Sequence, residues 1–420
     1  MTQSTAWRLS LLATVAATIT LGPSLAARAA DAGPIKIGVV SEFSAVVGEP
    51  IARGAQLAAD EVNAHGGING RKVEIIAYDD HSSAADAVRA YQRLVQQDHV
   101  SAVVTTFISE VALAIEPWAA RLHMPTLTPA AASDQISKQV HDKYDQYKYM
   151  FEGALPSPSL AASVCDSSRD LLAHDLHMTT AAIVREDADW SKPYNATLQE
   201  CLPKAGLKIV DAVAFNPDTT DFTPIFNRVE AKHPDVMVMG IAHVGVQPTI
   251  QWHSQEVPIP MSGLSVQATN NTFWKSTNGA AEGVITQTQA APGVALSPVT
   301  LAVQKAYVDK FHNFPAWTGF TSYDGTMAFI EAIKRAGSTD PDKIVAEMEK
   351  TSMDGASGHI GFYGRDDEYT HSWKYGADWV SGLFVQWQNG KQVCIWPEKA
   401  CPNKMIFPSF VKLPRQAAAK

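Results

Sequence analysis

Asp79 and Asp80 stand side by side directly after an apolar run, an arrangement from which a general acid and a general base could be drawn. Asp and Ser also precede helices, and Ser83 opens the next helical stretch, so capping that helix is the expected role of the pair. His174 and His177 lie three residues apart at a helix end, but two imidazoles alone make a poor metal site and no metal is expected. Ser409 and Lys412 match an SxxK pattern in a Pro-flanked tail, where chance is the better account. The GxSxG, HExxH and GxxxxGK[ST] patterns are absent, and Gly66-Gly67-Ile68-Asn69-Gly70 reads as a tight helix-to-strand turn. No nucleophile and base can be paired, so the chain is not expected to be an enzyme and no cofactor is expected.

Composition narrows the class. The 420 residues suffice for two or three domains, and 46% hydrophobic with 18% charged residues is a globular balance. Asp+Glu 43 against Lys+Arg 34 gives a net charge of -9, which excludes a typical nucleic-acid phosphate binder and gives no reason for direct lipid binding. Arg8, an apolar run from Leu9 to Leu21 and Ala27-Arg28-Ala29 read as a secretory leader over residues 1–29, so a periplasmic location is expected. Four cysteines in an exported chain imply disulfides. Cys394 and Cys401 bracket a Pro-containing loop, while Cys165 and Cys201 fall on helices flanking one strand, and these two pairings are favoured.

The elements that must position any site alternate. Strands are expected at 35–40, 73–77, 102–105 and 125–128, with helices at 50–64, 84–97 and 110–122 between them. The alternation restarts with helices at 159–173, 193–204, 222–232 and 247–255 around strands at 180–184, 208–215 and 236–239. Helices at 300–312 and 322–336 have the size of first-unit material, and a late hairpin turns at Asn389-Gly390. The expected fold is α/β, two doubly wound parallel-sheet lobes joined by a hinge of several crossovers. The expected division is 35–152 plus 287–355 for the N-terminal lobe, 153–286 plus 356–405 for the C-terminal lobe, and a tail at 406–420.

Ile35-Lys-Ile-Gly-Val-Val, Gly48-Glu-Pro, Gly54-Ala-Gln-Leu-Ala-Ala-Asp-Glu-Val-Asn, Gly66-Gly-Ile-Asn-Gly-Arg-Lys-Val and Tyr78-Asp-Asp occur in an order that resembles the type I periplasmic solute-binding proteins of ABC importers. Leu127-Thr-Pro-Ala-Ala, Ser322-Tyr-Asp-Gly and Arg335-Ala-Gly-Ser-Thr-Asp extend the resemblance over nearly the whole chain after the leader, with the leucine/isoleucine/valine-binding proteins the nearest relatives. The resemblance implies capture of a small-molecule ligand between two lobes and delivery to an ABC transporter permease in the inner membrane. A sensory module that reports to a membrane receptor is the alternative of a different class.

The resemblance also implies positions. Ser109 matches the Ser that holds a ligand carboxylate at a helix start, where free N–H groups favour an anion. Ala130 and Ala131 match backbone contacts, while Ala132 replaces the usual hydroxyl and Ser133 follows it. Trp190 matches an aromatic residue that stacks on the ligand, and His243 replaces another. Phe43, Phe107 and Tyr323 are further wall candidates. Amino-acid binders place an acidic residue after the position of Pro260, but Leu264 stands near the expected place here, so an ammonium would lack its partner. The expected ligand is accordingly a carboxylate without an ammonium, aromatic in view of these rings; a branched-chain amino acid or an amide is the alternative.

Overall fold

The computed structural model of the protein describes Met1 and residues 33–414, so the leader expectation falls outside the described residues. The first lobe is laid down by β1 (Ile35–Ser41), α1 (Glu49–Ala64), β2 (Val73–Asp79), α2 (Ala84–Gln96), β3 (Ala102–Val104), α3 (Ser109–Leu122), β4 (Thr126–Thr128), α4 (Asp134–Asp142), α5 (Tyr144–Tyr147) and β5 (Met150–Glu152). Its five strands pair in parallel in the order β2-β1-β3-β4-β5. Ile37, Val39, Ala102 and Val104 bury on one face of the sheet, and Val40 and Val103 on the other, beside Tyr91 and Leu94 of α2. Helices cover both faces, as a parallel sheet of apolar strands requires.

The second lobe follows as α6 (Ser157–Ser167), continued by a wider π turn at Ser168–Asp175, then β6 (Thr180–Glu186), α7 (Ser191–Lys204), β7 (Lys208–Phe215), α8 (Thr223–Glu230), β8 (Val236–Ile241), α9 (Gln247–Ser254) and β9 (Met261–Ser265). These four strands are also parallel, in the order β7-β6-β8-β9. Beyond them lie α10 (Phe273–Ser276), β10 (Ile285–Thr288), α11 (Thr300–Phe311), α12 (Thr318–Ala336), α13 (Pro341–Met348), the hairpin β11 (Ser352–Gly355) and β12 (Gly358–Gly361), and the hairpin β13 (Leu383–Gln388) and β14 (Lys391–Trp396). β10, β13 and β14 form a small antiparallel sheet, joined to β9 through Thr286 Oγ1, which accepts from Ser265 N–H at 2.9 Å. Residues 406–414 lie against the second lobe: Phe410 packs edge-on against Trp252 of α9, and Lys412 N–H donates to Pro258 O at 2.9 Å.

The chain passes between the lobes after β5, after β10 and again between α13 and β13. On the last passage it runs beside β5, with Glu152 N–H donating to His371 O at 2.9 Å and Trp373 N–H to Glu152 O at 3.1 Å. Both favoured disulfides are present. Cys165–Cys201 ties α6 to α7 with Cα atoms 5.9 Å apart, and Cys394–Cys401 closes the loop after β14 at 5.1 Å.

The expected capping role of Asp79 and Asp80 is corrected. Ser83 caps α2, its Oγ accepting from Asp86 N–H at 3.3 Å. Asp79 and Asp80 instead fold the preceding loop by accepting the N–H groups of His81 and Ser82, each at 2.9 Å. Burial pushes the Asp80 carboxyl up to about 6 against the opposing Ser82 hydrogen bond. His174 is exposed and bonds only its neighbour Asp175, at 2.8 Å.

The return of α12 onto α1 is set by two glycines. A Cβ at Gly54 would stand 2.1 Å from Gly319 O, so the helices touch backbone to backbone. Thr318 and Ser322 hydroxyls then reach the carbonyls of Val47 and Ile51 at 2.6 and 2.7 Å. Because the clash would be with backbone, Gly54→Ala should cost about 1–3 kcal/mol of stability, read as a lower urea midpoint. An unchanged midpoint would show that the two helices can separate freely.

Candidate ligand-binding site

The loops after β3 and β4 of the first lobe face those after β6, β8 and β9 of the second. Between them lies a cavity lined by Phe107, Ser109, Ala130 and Ala132 on one side and by Trp190, Ala242, His243, Leu264 and Val266 on the other. Val47, Leu160, Trp317 and Thr318 complete it. The room open to water centres is about 40 Å³, several times the ~10–15 Å³ of one buried water, so the closed lobes admit a compact ligand only.

The first-lobe side supplies donors. Ser109 is the first residue of α3 and is buried; its Oγ accepts the N–H groups of Ala132 at 3.3 Å and Ser133 at 3.2 Å. Its own hydroxyl proton is therefore left for a ligand. The N–H groups of Ser109 and Ala130 also donate to no protein acceptor among the described residues. A helix start with free donors is suited to an anion.

The second-lobe side is organised by Glu186, the last residue of β6 and fully buried. Oε1 accepts Trp190 Nε1–H at 2.8 Å and meets His243 Nδ1 at 2.7 Å; Oε2 accepts the N–H groups of Ala242 and His243, both at 2.9 Å. Burial alone would raise this carboxyl, but the His243 hydrogen bond and charge and the two N–H groups hold it below its usual range. Burial likewise works against a charged His243, yet Glu186, with Glu110 and Glu42 further off, raises the imidazole above its usual value. Each partner thus favours the charged form of the other. The His243 ring stacks over Phe107 across the cleft, with centroids 6.3 Å apart.

Hydrogen bonds also join the lobes: across the cleft Asp189 N–H donates to Glu110 Oε1 at 3.0 Å and Asn270 Nδ2 to Val46 O at 3.2 Å, and beside the crossover the Ser157 hydroxyl donates to Ala132 O at 2.6 Å. Outside the Phe107–His243 stack the cleft opens into a wider recess bordered by Glu42, Glu110 and Asp187.

Five of the seven expected contact residues, Phe107, Ser109, Ala130, Trp190 and His243, meet in this cavity. Three other residues are corrected. Ala131, expected to offer backbone, is not on the lining: its N–H donates to Thr128 Oγ1 at 3.1 Å and its methyl packs with Ala112 and Ile136. Tyr323 faces α1 and donates its hydroxyl to Glu61 Oε2 at 2.6 Å. The wall candidate Phe43 is 37% exposed on the loop after β1. Sequence reasoning missed Glu186, although an acid at the C-terminal end of a parallel strand four residues before Trp190 was a usable signal. It also missed Trp317 and Thr318, which mark the start of α12.

Comparison with known proteins agrees with this geometry. A family model described as periplasmic binding protein matches residues 34–379. The chain is 23% identical over 407 residues to Leu/Ile/Val-binding protein homolog 7 of Brucella suis biovar 1, covering 92% of this chain and 98% of that protein. Among solved structures, the branched-chain amino acid substrate-binding protein LivJ of Streptococcus pneumoniae, in complex with isoleucine, superposes with a TM-score of 0.74 at 23% identity, over 86% of this chain and 97% of that one. A solute-binding protein of an R. palustris ABC transporter, in complex with benzoate, gives 0.72 at 17% identity, over 90% and 99%. With two parallel-sheet lobes closing on one cavity and a family match along most of its length, the chain belongs to the periplasmic binding protein family.

Proposed function

We propose that the protein is the extracytoplasmic solute-binding component of an ABC importer, and that it closes over a compact, flat carboxylate that carries no ammonium. The observation that carries this reading is Glu186. No acidic side chain among the described residues lines the cavity, and Glu186 behind its wall already gives its two oxygens to four donors of the protein itself. Nothing is left to hold an ammonium, and burying one unpaired costs several kcal/mol, on the order of the penalty for any isolated buried charge. The unused donors of Ser109 and Ala130 instead favour a carboxylate, and the rings of Phe107, Trp190 and Trp317 favour a flat body. Relatives of the same fold hold isoleucine in one case and benzoate in another, and the absence of a free acid aligns this cavity with the second. Delivery to a membrane permease follows from the family role.

The acidic recess favours a second reading, a neutral amide. Glu42, Glu110 and Asp187 border the entrance and repel an approaching anion, an effect felt in the association rate and screened by salt. Calorimetric titration with benzoate, benzamide and leucine separates the cases. Benzoate should bind, leucine should not, and Ser109→Ala should weaken benzoate about tenfold or more, the worth of a hydrogen bond to a charged group. Tightest binding by benzamide would establish the amide reading, and tightest binding by leucine would refute both.

Protonation gives a further check. His243 is cationic below its raised pKa and loses that charge as the pH climbs beyond the ordinary imidazole value of 6.5. Carboxylate affinity should therefore decline on going from neutral to alkaline solution, while benzamide affinity should stay level. A benzoate affinity independent of pH through this range would remove His243 from the electrostatics of binding.

A further inference from the structure

The two sides of the cavity differ in kind. Ser109 and Ala130 offer donors from the first lobe, whereas the second lobe offers one polar side chain with a free hydrogen-bonding atom on the lining, the His243 imidazole. Its Nδ1 is taken by Glu186 at 2.7 Å, and its own N–H is pinned to the same carboxylate at 2.9 Å. Both backbone and ring are therefore fixed, and only Nε2, which has no protein partner among the described residues, is left to meet a ligand. The remaining second-lobe lining, Trp190, Leu264 and Val266, is apolar, with the Trp190 indole N–H turned to Glu186.

A solute held at Ser109 by its carboxylate thus presents its far end to second-lobe lining whose one unused side-chain polar atom, among the described residues, is Nε2. Closing over a bare hydrocarbon edge would strip that nitrogen of water and give nothing back. A hydroxyl meets the requirement in either protonation state, because it accepts from an imidazolium N–H and donates to a neutral imidazole nitrogen.

We propose that His243, held in place by Glu186 as its positioning residue, reads a hydroxyl at the end of the ligand remote from its carboxylate, so that the site selects a hydroxylated aromatic acid over the unsubstituted one. This rests on the carboxylate reading above and adds its substrate class. Sites built to bond a hydroxyl discriminate strongly against the analogue that lacks it, because the protein group is then left unpaired.

The test is calorimetric titration of the purified protein with 4-hydroxybenzoate and benzoate. The hydroxylated acid should bind about tenfold more tightly or better, and in His243→Phe the ratio between the two should shrink to within about twofold, whatever loss the ligands share. Glu186→Gln should shrink the ratio as well, and long-range ¹H–¹⁵N spectra should show the His243 ring losing its fixed Nδ1-protonated form. That variant sets an amide N–H against donors and can disturb the loop. His243→Phe leaves Glu186 with Trp190 and two backbone N–H groups, so it decides the matter alone if Glu186→Gln fails to fold. Equal affinities in the unaltered protein, or a ratio undiminished in His243→Phe, would overturn the selection by His243 and leave the carboxylate reading standing. Binding of neither acid would overturn both.

Discussion

A carboxylate shut away from water must be satisfied by the protein or give up its charge, and Glu186 is where that constraint falls. It keeps its charge by gathering donors from two separate loops, the indole of Trp190 after β6 and the backbone and imidazole at Ala242–His243 after β8. Those loops are thereby made into one unit. The loop that carries Trp190 is braced again by Ser191 Oγ, which donates to Glu186 O at 2.6 Å and accepts from Ala188 N–H at 3.2 Å. The second-lobe half of the cavity is accordingly organised by internal bonds before any ligand arrives, which lowers the ordering cost of binding.

The first lobe reaches a similar result with backbone. Parallel strands send every following loop to the same edge of the sheet, so the start of α3 after β3 and the segment after β4 come together without any special sequence. Ser109 then ties them by accepting from Ala132 and Ser133. The third contributor comes from far along the chain. Trp317 and Thr318 reach the cavity because α12 returns to lie on α1, and the contact between Gly54 and Gly319 sets how closely it lies. A packing constraint between helices therefore fixes the depth at which an aromatic wall enters the site.

Much of the fold was legible because its signals are local. The β-branched runs of β1, β6 and β8 and the amphipathic spacing of α1 mark elements within about two turns or strands of chain. Short pieces were not legible: β5 is Met150-Phe151-Glu152, three residues with no alternation to read, and it becomes a strand through pairing with β4 and the later passage at 371–373. Helix α4 had a signal in Ser133 before it and in Ile136 and Val140 four apart, masked by the run of alanines ahead of it. In the site, most residues fixed by a loop after a strand were found, Phe43 and Ala131 excepted, whereas Tyr323 was misplaced because its side depends on which face of α12 meets α1. Glu186 was given no role, since its strand was expected to end at residue 184 and nothing in one sequence says that four donors from distant positions will converge on it.

Closure is the step that the protein's own contacts do least to drive. The bonds across the cleft from Asp189 to Glu110 and from Asn270 to Val46 are both partly open to water, and each is worth about 0.5–1.5 kcal/mol at most. The Phe107–His243 stack adds area but brings a polar ring toward an apolar one. Against these stand the unused donors of Ser109 and Ala130 and the free nitrogen of His243, all of which lose water when the lobes meet. An empty cleft thus has little reason to stay shut, whereas a ligand that bonds these groups removes their desolvation cost in the closed state alone. Differential affinity of that kind is what shifts a two-state equilibrium.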